Sequence, residues 1–395
     1  MTSVPLLSTD GTVTTLELRE PVVAERPTTP LSSRTAYAAA HVVPTAWGDN
    51  VPGAPAELDW EATLAYRHHV WSYGLGVADA MDTAQRNMGL DTAATRELIT
   101  RSAAEAASVG GALVVGVNTD HLTDETVSLD AVADAYLEQL AFAEDAGAGT
   151  VLMASRHLAR AAQSADDYRR VYDRVLSAAQ SPVVLHWLGT AFDPSLEGYF
   201  GASDVAEASD TLLRIMTDHV DHVAGVKMSL LDADAEIAVR RRLPAGTTMF
   251  TGDDFNYVDL IAGDADGHSD ALLGAFTAIA PAASAAIQAL DAGDPASYER
   301  ILRPTEALSR QIFAAPTYYY KTGIAFLSWL NGHQPAFSMV GGLHAARSLP
   351  HLSEIVRLAD AAGALEHPEL AAERWTGLLR TAGVVGTLTT AGGAR

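Results

Sequence analysis

A lysine stands inside an apolar run at residues 222–234, HVAGVKMSLLDAD. Val223, Ala224, Val226 and Met228 around it read as a buried strand. The chain is sparing with lysine: of its 26 basic residues only Lys227 and Lys321 are lysines, and the rest are arginines. Strand alternation puts Val223, Gly225 and Lys227 on one face and Ala224, Val226 and Met228 on the other. An ammonium held among apolar groups is unfavourable, so its pKa should fall and leave a neutral amine. Such an amine attacks a carbonyl to form a Schiff base, which arginine, always protonated, cannot do. A structural lysine paired with Asp253 or Glu236 is the bland alternative.

The elements that must position this lysine recur with a rhythm. Apolar stretches lie at 36–44, 75–83, 112–120, 150–156, 182–189, 222–229 and 247–254, with a weaker one at 271–279. Helical patterns such as LDAVADAYLEQLAFAEDAGA and ADDYRRVYDRVLSAAQ separate them. Eight strands alternating with helices predict an α/β fold, a (β/α)8 TIM barrel, over residues 34–294. A doubly wound sheet is the runner-up, but no Gly-rich phosphate turn follows the first strand. Residues 1–33 read as an N-terminal hairpin about Asp10-Gly11 followed by a Pro- and Thr-rich linker. Residues 295–395 read as a C-terminal helical region with a loop at NGHQPAFSMVGGLH.

Barrel active sites lie where strands end. The strand ends carry His41, Asp79, Asp82, Asn118, Asp120, His121, His157, His186, Lys227, Asp253 and Asp254. Polar residues gather there in any barrel, so most members need no functional explanation. Lys227 and His186 are the expected catalytic pair, with the imidazole moving protons near neutral pH. Asp79, Asp82, Asn118, Asp253 and Trp47 are the expected substrate-binding residues, the carboxylates accepting hydrogen bonds from substrate hydroxyls. A helix cap or solvated loop is the competing reading for Asp79 and Asp82. YYYK (318–321) fits a packed helix, GGLH (341–344) has only Arg347 as a basic neighbour, and Trp187 and Trp329 suit core or interface.

GVK closing the sixth strand and TGDD closing the seventh resemble the dihydrodipicolinate synthase / N-acetylneuraminate lyase family of class I aldolases. The order of elements agrees over about residues 35–365, including PTYYYKTGIAFLSWLNG and a final helix at LPHLSEIVRLADAAGAL. The resemblance implies Lys227 as the Schiff-base residue, no cofactor beyond the lysine imine, and a homo-oligomer, dimer or tetramer. The departures are specific. LHWLG puts His186 where the family has a proton-relaying tyrosine. GTAFDPSLEGYF lacks the arginine that binds the pyruvate carboxylate, and ADAMDTAQ replaces Gly-Thr-Thr-Gly-Glu. Both losses speak against pyruvate and for a neutral, hydroxyl-rich, sugar-derived carbonyl compound.

Bulk properties bound the rest. A net charge of −23 disfavours nucleic acid and anionic membrane surfaces as partners, leaving a small-molecule substrate. The absence of cysteine excludes disulfides and thiolate chemistry. No signal peptide or transmembrane run is recognised, so a cytoplasmic location is expected. Two rival functions remain. One is a metal-dependent barrel isomerase or hydrolase with a divalent ion on His186, Asp79, Asp253 and Asn118. His68 and His69 lie in a helical stretch and offer no such motif. The other is a non-catalytic small-molecule-binding barrel.

Overall fold

The computed structural model describes residues 2–385. Eight parallel strands close into a barrel: β3 (Ala36–Ala39), β4 (Gly76–Asp79), β5 (Leu113–Val117), β6 (Gly149–Leu152), β7 (Val183–Leu188), β8 (Val223–Ser229), β9 (Thr248–Thr251) and β10 (Asp270–Leu273). β10 pairs with β3 to complete the ring. β1 (Ser3–Leu7) and β2 (Val13–Glu17) form the antiparallel hairpin about Asp10-Gly11. Every expected strand is present, and the expected 271–279 stretch divides. Its first part is β10, while Ala275–Ala278 turns into a short helix.

The strands are short Val-, Leu- and Ala-rich runs because they are covered on both faces. Most of the helices that follow the first six barrel strands start at Asp or Ser caps. Asp59, Asp91, Ser128, Ser164, Asp204 and Asp232 each accept a backbone N–H of the first turn through their side chains. Ala39, Ala78, Val114, Val151, Val184, Phe250 and Leu272 meet inside the barrel as a separate apolar cluster. Their alternate neighbours, such as Val115, Leu185, Val226 and Met249, pack outward against the helices.

Strand parity fails at one place. The β7–β8 register runs Val183↔Val223 and then Val184↔Gly225, so Ala224 is an extra residue. The bulge reverses the expected faces of Val223, which joins the outer core, and Ala224, which packs inward. From Gly225 onward the expected alternation holds, and Lys227 faces the interior.

Four helices, Pro295–Ile312, Tyr320–Leu330, Leu349–Ala361 and Pro368–Thr381, make the C-terminal region. The last is an addition beyond the helix at Leu349–Ala361 that was expected to be final. The N-terminal hairpin lies on this region: Leu7 N–H donates to Ser353 Oγ at 2.7 Å, and Trp375 Nε1 donates to Pro5 O at 2.7 Å. Val4 and Leu18 join the apolar cluster that includes Phe326, Ile355 and Trp375. Hairpin, barrel flank and C-terminal helices therefore share one core. No described helix is long and apolar enough to cross a membrane.

Candidate active site

Lys227 lies two residues before the end of β8, opposite His186 of β7 and Phe250 of β9. Its side chain is 8% exposed. Two glycines make its place. A Cβ at Gly225 would lie 2.2 Å from the Thr248 carbonyl oxygen, so strands β8 and β9 approach closely below the lysine. A Cβ at Gly252 would lie 2.8 Å from Lys227 Cε and 2.1 Å from Ser229 Oγ, so the glycine of TGDD opens the path along which the lysine extends. Among the described residues Lys227 Nζ makes no hydrogen bond.

Burial lowers the Lys227 pKa from its ordinary value, while the nearby charges of Asp254 and Asp82 oppose the fall. Burial pushes the Asp254 carboxyl up to about 7, against the restraint of an Ala275 N–H at 2.7 Å and of Lys227. Both members of this pair thus shift toward their neutral forms. His186 is fully buried, its Nε2 3.2 Å from Ser229 Oγ and its Nδ1 without a partner. Desolvation, helped by the positive Lys227, holds its pKa well below the usual imidazole value. The expected proton shuttle is therefore a neutral imidazole at physiological pH, and Asp254 is the group near Lys227 that titrates there.

The loop after β4 brings Asp82 to the same place. Ala80, Gln85 and Asn87 take left-handed backbone conformations, and Arg86 clamps the loop through Gly116 O at 2.7 Å and an ion pair to Asp120. The half-buried Asp82 carboxylate itself makes no hydrogen bond among the described residues. Next to it, Thr83 Oγ1 lies 2.8 Å from the Tyr320 hydroxyl. Lys321 follows, buried, donating to Tyr318 O at 3.2 Å and lying 4.4 Å from the Tyr320 ring centroid. Burial lowers its pKa to about 8 although Asp82 counteracts this. The Asp82 charge therefore opposes the fall in pKa at both lysines.

The other expected site residues have different surroundings. Asp79 has the parity of Val77 and faces outward, where Arg67 grips it at 2.8 and 3.1 Å and Ser102 Oγ donates at 2.6 Å. Asp253 accepts the Phe255 and Asn256 N–H groups and the Asn256 side chain, capping a turn. Glu236 bonds Ser269 Oγ at 2.7 Å. Neither bland partner expected for Lys227 is thus at hand, and Asp254 takes that position. Asn118 is buried, its Oδ1 bonded to Thr119 N–H. Trp47 is 88% exposed. His41 meets Gln334, His121 meets Gln139, and His157 meets Thr119. His186, Asp79, Asp253 and Asn118 do not form a ligand cluster among the described residues. Asp254 and Lys321 were underrated by sequence reasoning. The parity of Phe250 points to Gly252 and Asp254, whereas the place of Lys321 depends on a long-range docking.

Solved structures share the architecture. A 4-hydroxy-tetrahydrodipicolinate synthase from Methylacidiphilum fumariolicum SolV superposes with TM-score 0.65 and 15% identity, over 86% of this chain and 99% of its own. A dihydrodipicolinate synthase from Thermotoga maritima gives 0.63 and 15%, over 85% and 100%. YagE of E. coli K12, a prophage protein of the dihydrodipicolinic acid synthase family solved in complex with pyruvate, gives 0.61 and 15%, over 89% and 99%. At these identities the likeness establishes the fold. Among curated proteins no match was found. A family model matches residues 4–384, and the chain belongs to that family, described as Protein of unknown function (DUF993).

Proposed function

We propose that this protein is a Schiff-base lyase of the class I aldolase type, a divergent relative of the dihydrodipicolinate synthases that acts through Lys227. The observation that carries the reading is the Lys227 amine itself: inside the barrel, free of hydrogen bonds among the described residues, and shifted toward neutrality beside Asp254. The neutral amine adds to a substrate carbonyl carbon, and the carbonyl oxygen leaves as water, with one proton from the amine and one from the Asp254 carboxyl. The resulting iminium draws in the electron pair of the bond between the α and β carbons as it breaks; the β carbon leaves as a carbonyl and an enamine remains on the lysine. The proton leaving the departing fragment's hydroxyl goes to Asp254, which at about 7 can take and return it near neutral pH. The neutral His186 supplies a hydrogen bond rather than a charge.

Asp82, whose carboxylate makes no hydrogen bond among the described residues, suits a substrate hydroxyl. Asp79 and Asp253 are engaged by the protein and have no such role in this reading, and Asn118 can offer its amide nitrogen. We favour a sugar-derived hydroxycarbonyl substrate. A panel of hydroxylated 2-oxo acids, ketoses and aldoses, with pyruvate as the acceptor control, tests this by detection of the released carbonyl fragment. Turnover of a panel member that disappears in Lys227→Ala supports the lyase, and turnover that survives in Lys227→Ala contradicts it.

A further inference from the structure

On the outside of the barrel three donors converge that the lyase chemistry does not use. His69 lies in the last turn of the helix Trp60–Ser72, His333 follows the helix Tyr320–Leu330, and Glu366 precedes the helix Pro368–Thr381. One ligand atom of each lies within 4.8 Å of the other two. His333 Nε2 is 2.7 Å from Glu366 Oε1, His69 Nε2 is 4.0 Å from the same oxygen, and the imidazole centroids are 4.2 Å apart. A tetrahedral zinc with bonds of ~2.0–2.1 Å separates its donors by about 3.3 Å, between the two observed spacings.

The surroundings hold these donors in place. The Tyr66 ring stacks on His69 and meets His333 edge-on. Tyr73 packs edge-on against His69 from the other side. Asn331 secures the Glu366 segment, accepting Glu366 N–H at 3.1 Å and donating to Ala364 O at 2.9 Å. The three side chains are 14%, 18% and 24% exposed, so an ion can reach them from solvent.

We infer that His69, His333 and Glu366 form a site for a divalent transition-metal ion of the zinc type, with water at the fourth position. Two imidazoles and one carboxylate suit zinc better than magnesium or calcium, which favour oxygen donors. The ion would join three segments: the first helix of the barrel, the turn after Tyr320–Leu330 and the loop leading to the last helix. The middle segment follows the helix that carries Tyr320 and Lys321 to the candidate active site. Zinc would thereby steady that helix from its far end.

The test uses the untagged full-length chain, stripped with chelator, loaded with zinc chloride and desalted. Elemental analysis should find one zinc per chain, and loading should raise the melting temperature. His69→Asn and Glu366→Gln should each weaken zinc binding by more than the ~100-fold that loss of a mere supporting partner can bring. Uptake well below one zinc per chain, or wild-type uptake in both variants, would overturn the assignment. Should a variant fail to fold, cobalt(II) added to the stripped wild type decides. Intense tetrahedral d–d bands support the site, and the weak spectrum of octahedral cobalt contradicts it.

Discussion

Two buried carboxylates beside cations, Asp79 at the end of β4 and Asp254 after β9, are built in opposite ways. Asp79, outside the barrel, receives both arms of Arg67, the Ser102 hydroxyl and the Ala80 N–H. Arg67 spends its remaining reach on the carbonyls of His41 and Thr63. Asp254, at the barrel mouth, has one backbone donor, and its lysine neighbour has no hydrogen bond among the described residues. A buried charge that is fully coordinated holds elements together. One left short of partners shifts toward neutrality and stays available for chemistry. The guanidinium, which cannot lose its proton, is used for the first task and the amine for the second.

The comparison can be broken by substitution. The largest effect is expected at Lys227. Lys227→Met should lower turnover by about 10⁴-fold or more, the scale set by loss of a nucleophile. Its stability should hold or rise, because an unsatisfied buried amine is removed. Denaturant unfolding and a product assay report the two quantities separately. The reverse pattern is expected at Asp79. Asp79→Asn leaves Arg67 without its counter-charge and should lower stability by about 3–5 kcal/mol, read as a fall in the denaturant midpoint.

Asp254→Asn comes next. Loss of a proton carrier should reduce turnover by about 10²-fold or more. Asp254 also raises the Lys227 pKa. Its removal should therefore move the acid limb of the pH–rate profile to lower pH. A limb that stays in place would separate Asp254 from the lysine.

Glu236 offers a smaller and purely structural test. Burial raises its pKa to about 8 from an ordinary 4.5, with Asp253 adding to the rise and Ser269, Thr251 and Arg240 opposing it. Its folded pKa is raised, so its contribution to stability is complete below about 4.5 and is lost as pH rises through about 8. Glu236→Gln should flatten that part of the stability curve, and the wild-type-minus-variant difference across a pH series isolates it.

Much of this arrangement could be read in the chain. Eight apolar stretches give the barrel because parallel strands covered on both faces leave continuous Val, Leu and Ala runs. Lys227 stood out because a lysine in such a run is unfavourable without a purpose. Strand ends were harder. Asp79 and Asp82 differ by three positions, yet one turns toward Arg67 and the other toward the lysines. That outcome depends on a left-handed turn at Ala80, where the residue type gives no warning. Asp253 and Asp254 are adjacent and divide the work of capping a turn and facing Lys227. Trp47, an aromatic near a strand end that was expected at the mouth, is 88% exposed. Lys321 and the His69–His333–Glu366 cluster join segments far apart in sequence, and no local pattern encodes such meetings.

In the proposed reaction Lys227 forms an imine. Treating the protein with a turned-over carbonyl compound and borohydride, then mapping peptides by mass, tests it most directly. The expected result is a reduced adduct on the peptide containing Lys227, absent in Lys227→Arg. An adduct on Lys321 alone, or none on Lys227 while turnover proceeds, would contradict it.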